Sequence, residues 1–200
     1  MFYDPRHEPH GLPHDPFHAI VVPRPIGWIS TRAATGVANL APYSFFNAFS
    51  TNPYIVGFSS TGRKDTIANV EATGAFVCNL ATFDLRAAMN ASSAPVGPEV
   101  DEFVLAGLTA VPSRLVAAPR VAEARVALEC LHTGTIPLRD AAGGRERAWL
   151  VLGEVVGIHI DDSILKDGMI DTAALMPIAR LGYRDYAVVD RVFAMDRPKA

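Results

Sequence analysis

The chain has 200 residues, half of them hydrophobic, which is enough for one domain with a sizeable core. Its formal net charge of -3 gives no general attraction for polyanions, so we expect no nucleic-acid partner. The two cysteines form no CxxC pair, which excludes a disulfide framework and a thiolate zinc site and suits a reducing compartment.

The first segment, residues 1–18, is polar and rich in Pro and His. It lacks the apolar core of a signal peptide, and no apolar run approaches membrane-spanning length, so we expect a cytoplasmic protein without a membrane partner. Its prolines prevent a helix, which predicts an extended arm that can wrap a partner subunit. His10, His14 and His18 would share a helix face, but without that helix we expect no metal site.

In the first half of the chain, short β-rich segments alternate with turn residues. The pattern predicts strands over Ala19–Val22, Pro25–Thr31 and Pro53–Ser59, with a turn at Thr35-Gly36. It also predicts a helix over Asp65–Thr73, capped by Asp65 or Thr66 and followed by Gly74 at the C′ position.

The second half continues with a predicted strand over Ala75–Ala81, a helix over Leu85–Ala91 and a loop over residues 92–101. Two long β-branched stretches, Val121–His132 and Ala148–Ile160, predict strands joined by the hairpin-like link Arg139–Arg147. Many strands at short spacing favour a barrel or sandwich over a parallel α/β sheet. We therefore predict a mainly β fold that forms a single domain over residues 1–200.

The segment Ser59–Thr66 follows a predicted strand and opens a predicted helix. Free backbone N–H groups at a helix start form an anion site, to which Arg63 and Lys64 add charge and the neighbouring hydroxyls add donors. Gly62 lets the backbone turn closely around a phosphate. A solvated turn before a capped helix explains the pattern equally well. The segment is not a P-loop, because Arg63-Lys64 replaces the required Lys-Ser/Thr, and the chain has no GxGxxG.

Two further polar groups suit a ring-shaped ligand. Asn47, Ser50 and Thr51 place amide and hydroxyl groups beside aromatic residues, as a flat heteroaromatic ring with polar edges requires. A turn in which these side chains satisfy local backbone groups is the alternative. Ser30 and Thr31 lie at a predicted strand end, where they can touch a ligand.

Together these segments resemble the flavin reductase-like family, whose members include flavoredoxin-like proteins. The matching text is PRPIGWIST (23–31), NLAPYSFFNAFSTNP (39–53), FSSTGRKDT (58–66) and EATGAFVCNL (71–80). The block over residues 39–66 is the specific part, because its motifs occur in order and at close spacing.

The resemblance implies an FMN-binding split barrel: a six-stranded antiparallel Greek-key core with flanking helices, usually a homodimer with FMN at the subunit interface. It maps the phosphate-binding loop onto Ser59, Ser60, Arg63, Lys64, Asp65 and Thr66. It maps the ring and ribityl contacts onto Ser30, Thr31, Asn47, Ser50 and Thr51. Asp65 suits a cap or a cation partner better than a phosphate contact, because two anions repel.

Two positions toward the C-terminus bear on the reactants. His159 resembles in position a histidine near the flavin of related reductases, and we predict that it contacts nicotinamide or supplies a proton. A histidine bonded to backbone at a strand end is the alternative. The family often has Arg-Leu-Gly-Gly where this chain has Arg180-Leu-Gly-Tyr183, which puts the shape of that loop in question.

The resemblance implies an NAD(P)H-dependent oxidoreductase that passes electrons through FMN to free flavin or another acceptor, such as the flavin used by a separate monooxygenase. Flavin performs the redox chemistry itself, so binding residues matter more than catalytic ones. The alternatives are a non-enzymatic FMN electron carrier, a ferric reductase, and a barrel of the same shape that binds haem or pyridoxal phosphate.

Overall fold

A computed structural model describes residues 1–144 and 147–198. Its centre is a seven-stranded antiparallel sheet in the order β2-β1-β5-β6-β7-β4-β3. The strands are β1 (Gly27–Arg32), β2 (Ala38–Tyr43), β3 (Phe46–Thr51), β4 (Tyr54–Thr61), β5 (Ala75–Leu80), β6 (Val126–Leu138) and β7 (Ala148–Ile160). Since β5 pairs with β1 rather than with the preceding strand, the order is that of a Greek-key split barrel.

The outer strands β2 and β3 stand at the two ends of the sheet order, yet only two residues, Ser44 and Phe45, separate them along the chain. The backbone N–H of Ser59 donates to the Phe45 carbonyl at 2.8 Å. The ring centroids of Tyr43 and Phe58 lie 4.6 Å apart, which packs the end of β2 against β4. The sheet thus curls round on itself into the predicted barrel, with one strand more than the six expected.

In the described part of the chain, five helices flank the sheet: α1 (Phe17–Ile20), α2 (Asp65–Thr73), α3 (Arg86–Ala91), α4 (Glu102–Leu105) and α5 (Thr172–Leu175). Short strand pairs and a 3₁₀ turn complete the described structure: Arg24–Pro25, Ala110–Val111, Arg120–Val121, Asp162–Ile164 (the 3₁₀ turn), Leu165–Lys166, Met169–Ile170, Ile178–Arg180 and Tyr186–Val188. Within residues 1–144 and 147–198, no helix is long and apolar enough to span a bilayer.

The barrel interior is filled by large apolar side chains from alternate strand positions. Phe58, Phe76, Cys130 and Val151 have no exposed surface, and the two phenylalanine rings meet edge to face at 5.5 Å. Each such side chain stabilises the fold by about 1.5–3 kcal/mol through burial. The thiols are part of this packing, and burial raises the pKa of Cys78 to about 12.

A second apolar cluster lies outside the barrel, where α3 and α4 cover β1 and β2. Trp28 and Leu40 are fully buried there against Met89 and Phe103. The indole N–H of Trp28 donates to the Ser92 hydroxyl at 2.9 Å, which fixes the end of α3 over the sheet. This packing positions the loop after α3 beside β2, where the clefts described below are found.

Most predicted elements are confirmed, including helix Asp65–Thr73, the turn at Gly36 and strand Ala148–Ile160. The strand predicted over Ala19–Val22 was wrong, because Pro16 stands at the N-cap of a helical turn, α1. Residues 1–16 of the arm form neither helix nor strand, and the helical turn begins at Phe17. The link predicted over Arg139–Arg147 lies partly outside the described residues.

Strands β2 and β3 were not predicted from the sequence. Their residues do not alternate cleanly between apolar and polar, because β2 runs from buried to half-buried positions and β3 is an edge strand with exposed residues. The prediction of where β6 begins was also wrong: β6 starts at Val126, and Val121 belongs to a separate short strand paired with Ala110–Val111.

Candidate functional site

The start of α2 leaves backbone donors free. Lys64 is the N-cap in an extended conformation, and its side chain makes no capping hydrogen bond to the first turn. The predicted caps, Asp65 and Thr66, were therefore wrong: both lie inside the helix, whose last turn ends at Gly74 as predicted. Gly62 adopts a φ of 82°, a left-handed conformation that glycine takes without steric cost. The helix thus presents uncapped N–H groups and the exposed Lys64 side chain together.

These groups open onto a cleft of about 480 Å³, here called the helix cleft. Its walls come from β2, from the start of α2, from the loop after α3 and from α4. The lining residues are Asn39, Ala41, Pro42, Tyr43, Lys64, Asp65, Thr66, Ser92, Ser93, Ala94, Pro95, Val96 and Glu102.

A polar network fixes the floor of the helix cleft. The Asn39 amide donates to the Thr66 hydroxyl at 3.1 Å. The Tyr43 hydroxyl shares hydrogen bonds with Thr66 and Ser60, and burial raises its pKa. The Ser60 hydroxyl in turn donates to the Gly62 carbonyl at 3.0 Å, so the network holds the bend that precedes α2. The cleft is preorganised around the helix start rather than shaped by mobile side chains.

One carboxyl group in the helix cleft is held in an unusual environment. Glu102 is buried and accepts a hydrogen bond from the Leu40 backbone N–H at 3.0 Å. Burial raises the pKa of Glu102 more than that bond lowers it, and the charges of Asp101 and Asp65 raise it further. Burial and the neighbouring carboxylates therefore favour the neutral form of Glu102.

A second cleft of about 550 Å³, here called the arginine cleft, adjoins the first because Pro42 and Ser93 line both. Its other lining residues come from the N-terminal arm, α3 and the C-terminal segment: Asp15, His18, Arg24, Ile26, Ser44, Phe45, Met89, Asn90, Arg180, Leu181, Tyr183 and Tyr186. The two clefts lie side by side at the end of β2 and are together called the groove.

Three of the predicted phosphate ligands lie together in the helix cleft, and three lie beside it. Lys64, Asp65 and Thr66 line the cleft itself. Ser59 and Ser60 are at the end of β4 and do not line it. Arg63 points elsewhere, because its guanidinium pairs with Glu71 and stacks 5.8 Å from the centroid of the Trp149 ring.

The structure does not place the predicted ring ligands in either cleft. Ser30 and Thr31 are fully buried in β1, where the Ser30 hydroxyl donates to the Pro119 carbonyl at 2.5 Å and the Thr31 hydroxyl accepts from Asn69 at 3.1 Å. Asn47, Ser50 and Thr51 lie on the edge strand β3. Asn47 and Ser50 accept hydrogen bonds from nearby backbone N–H groups, as the turn alternative predicted.

His159 lies away from the groove, at the end of β7. Its Nε2 is 2.5 Å from Oε1 of the buried Glu129. The ring lines a separate pocket of about 380 Å³ together with Arg114, Arg120 and Arg125. Within one chain, His159 therefore faces neither cleft.

Sequence reasoning missed most of the groove. Its walls include Pro42, Ser93 and Glu102, and Arg24 and Arg180 face its second half. The segment containing Pro42 was quoted for its family resemblance, but no ligand role was assigned to it. Topology brings α3 and α4 to β2, and no local pattern in the sequence predicts that juxtaposition.

Comparison with known proteins gives consistent results. A family model described as flavin reductase like domain matches residues 19–180. A protein of Halalkalibacterium halodurans without a characterised function is 40% identical over 184 residues, which covers 89% of this chain and 87% of that protein.

Solved structures share the architecture. Nitrilotriacetate monooxygenase component B from Bacillus cereus is 30% identical and superposes with a TM-score of 0.89 over 98% of both chains. Flavoredoxin of Desulfovibrio vulgaris superposes with a TM-score of 0.78 over 88% of this chain and 91% of that chain, at 22% identity, and shows the fold alone.

Proposed function

The chain belongs to the flavin reductase-like family, and we propose that it binds FMN in the groove and passes electrons from NAD(P)H through FMN to free flavin or another acceptor. The observation that carries the proposal is the uncapped start of α2, where Lys64 opens onto the helix cleft. An anion site of this kind is what the ribityl phosphate of FMN requires.

The residues of the helix cleft fit a phosphate. The first turn of α2 offers unpaired N–H groups and the positive end of the helix dipole, and Lys64 adds an ammonium group with no hydrogen-bonding partner among the described residues. Asp65 opposes the phosphate with its charge, and burial favours the neutral form of Glu102, which also lines the cleft. We expect the positive helix start and the Lys64 ammonium group to outweigh the half-buried carboxylate of Asp65.

The flat ring system of FMN would lie along the wall formed by Pro42 and Tyr43, toward Ser93 and the arginine cleft. Pro42 and Tyr43 supply apolar surface, and the neighbouring backbone supplies polar groups for the ring edge. Bound FMN supplies the two-electron chemistry, while the chain binds it, orients it and excludes water from one side.

The homodimer is part of the proposal. The edge strand β3 carries Asn47, Ser50 and Thr51 on an accessible strand, where they can contact FMN bound to a second copy of the chain. This arrangement would reconcile their predicted role as ring ligands with their position outside the groove. We assign Ser30 and Thr31 a structural role in β1, because their hydroxyls are buried and hydrogen-bonded within the chain.

The acceptor of the electrons is proposed by analogy with a similar structure. The B component of a nitrilotriacetate monooxygenase superposes on nearly the whole chain. We propose by analogy that reduced flavin made by this protein serves a separate flavin-dependent monooxygenase.

The test is an absorbance spectrum of the purified protein titrated with FMN, followed by anaerobic addition of NADH or NADPH. A flavin spectrum shifted on binding and then bleached by pyridine nucleotide supports the reductase. Bound FMN that is not bleached points to the electron-carrier alternative. A protein that leaves the FMN spectrum unchanged at all concentrations contradicts the proposal.

A further inference from the structure

We propose that the arginine cleft binds the anionic group of the second reactant, a phosphate or carboxylate carried on a molecule with a flat ring. The inference rests on the proposed function, because it takes the adjoining helix cleft as the FMN site. It assigns a role to Arg24, which had none from the sequence patterns or the family comparisons, and it gives Arg180 the anion-binding role that the sequence left open beside a structural one.

Two arginines, Arg24 and Arg180, and one acidic residue, Asp15, are among the described residues that line the cleft. Arg24 is only 6% exposed, and its Nε has no hydrogen-bond partner. No carboxylate lies within 4.0 Å of Arg24 or Arg180 among the described residues. Arg24 and Arg180 stand directly opposite each other in an antiparallel strand pair, and burial and then the charge of Arg180 lower the pKa of Arg24. An anion between them would relieve this repulsion.

The hydrogen bonds of Arg24 hold its position without neutralising its charge. Its guanidinium donates to the carbonyls of His18 and Val21 at 2.6 Å and to that of Leu181 at 2.8 Å. Asp15 is the acidic residue of the lining, and its Oδ1 accepts from the Phe17 N–H at 2.9 Å. The bonded arm and C-terminal segment thus fix a cation at the wall of the cleft.

Aromatic rings accompany both cations. Arg24 lies 5.7 Å from the centroid of Phe45, and Arg180 lies 4.6 Å from that of Tyr186. Tyr183 adds a third ring to the lining, and its carbonyl accepts a hydrogen bond of 2.5 Å from Arg180. Rings beside guanidinium groups suit a flat molecule that carries a negative charge.

The position of the cleft fits a second reactant rather than a second cofactor. Pro42 and Ser93 line both halves of the groove, so a molecule held by the arginines would extend toward the proposed flavin ring. Contact between the two reactants is the geometric requirement of transfer between them. Two kinds of molecule carry an anionic group beside a flat ring: a nicotinamide dinucleotide, through its phosphates, and an aromatic acceptor, through its carboxylate.

Calorimetric titration of the FMN-saturated protein separates these sources. The probes are NADP⁺ and benzoate, neither of which reacts with oxidised FMN. We expect at least one of them to bind, and Arg180→Gln to weaken that binding about tenfold or more, since bonds to charged groups are strong. Arg180→Lys, which keeps the charge, should recover part of the loss, and the exposed control Arg191→Gln should bind as the wild type does.

The FMN affinity of each variant, read from flavin absorbance, is the companion measurement. Unchanged FMN affinity with weakened probe binding supports the inference, and the probe that binds identifies the source. If neither probe binds FMN-loaded wild-type protein, or if Arg180→Gln binds the probe as tightly as Arg191→Gln, the inference is overturned while the FMN site stands. If the wild type binds no FMN, the proposed function fails, and that failure is visible before either probe is added.

Discussion

His159 Nε2 lies 2.5 Å from Oε1 of Glu129, a carboxylate with no exposed surface. The same carboxylate accepts backbone N–H bonds from Arg114 at 2.8 Å, Leu115 at 2.6 Å and Val116 at 3.2 Å. One buried group therefore ties the loop before Ala118 to both β6 and β7. The contact with Glu129 gives His159 a structural role within the chain, and its predicted contact with nicotinamide or supply of a proton stays a prediction.

The first prediction concerns stability. Replacing Glu129 by Gln leaves N–H donors of the loop poorly paired, which should lower the free energy of unfolding by about 1–3 kcal/mol. His159→Gln should also destabilise, by less, and should leave FMN affinity unchanged. Urea unfolding measures both, with the exposed Glu99→Gln as control. A His159→Gln protein with normal stability but impaired flavin reduction would contradict a purely structural role and support a role of His159 in the reaction.

The second prediction concerns acid stability. Burial would raise the pKa of Glu129, but the N–H donors of Arg114 and Leu115 and the His159 ring outweigh it and hold the pKa below the ordinary value. A lowered folded-state pKa gives stability that is present above the unfolded pKa of about 4.5 and is lost as pH falls through the folded value.

Unfolding curves at a series of acidic pH values check this sign. The wild type should lose stability below about pH 4.5 more steeply than Glu129→Gln, because the variant has no carboxylate to protonate there. Parallel slopes for the two proteins across that range would show that Glu129 does not contribute to acid unfolding.

The third prediction concerns Tyr183, which adopts a φ of 53° where the family often has glycine. The loop keeps the conformation that glycine prefers, and the ring packs against His14 with centroids 5.7 Å apart. Tyr183→Gly should therefore be more stable than Tyr183→Ala by about 1 kcal/mol, because only glycine relieves the left-handed strain. Chemical denaturation compares them, and equal stabilities would mean that the strain is absent.

Local patterns predicted a mainly β fold, with barrel or sandwich left open, and the helix at whose start the site lies. The split barrel itself was implied by the family resemblance. The residues of α2 and the bend at Gly62 lie within one short segment, and their roles follow from backbone chemistry. The far walls could not be predicted in this way. Glu102 reaches β2 through a bond to Leu40, which is 62 positions away, and Arg24 reaches Leu181 across 157 positions.

The predicted ligand residues that do not line the groove share a physical reason for lying elsewhere. Ser30 and Arg63 have the side chains that a ligand site needs, and the sequence does not reveal that the Pro119 carbonyl and Glu71 occupy them. Polar residues next to a site are often used to hold the fold, because buried donors must be paired. The distinction needs three-dimensional partners.

The most direct test of the central claim compares FMN with riboflavin, which has the same ring and ribityl chain but no phosphate. Fluorescence titration of the wild type should show much tighter binding of FMN. Lys64→Gln should weaken FMN about tenfold or more and leave riboflavin nearly unchanged, whereas the exposed control Lys166→Gln should alter neither. If the wild type binds both flavins equally, or if Lys64→Gln weakens both to the same degree, the phosphate does not lie at the start of α2.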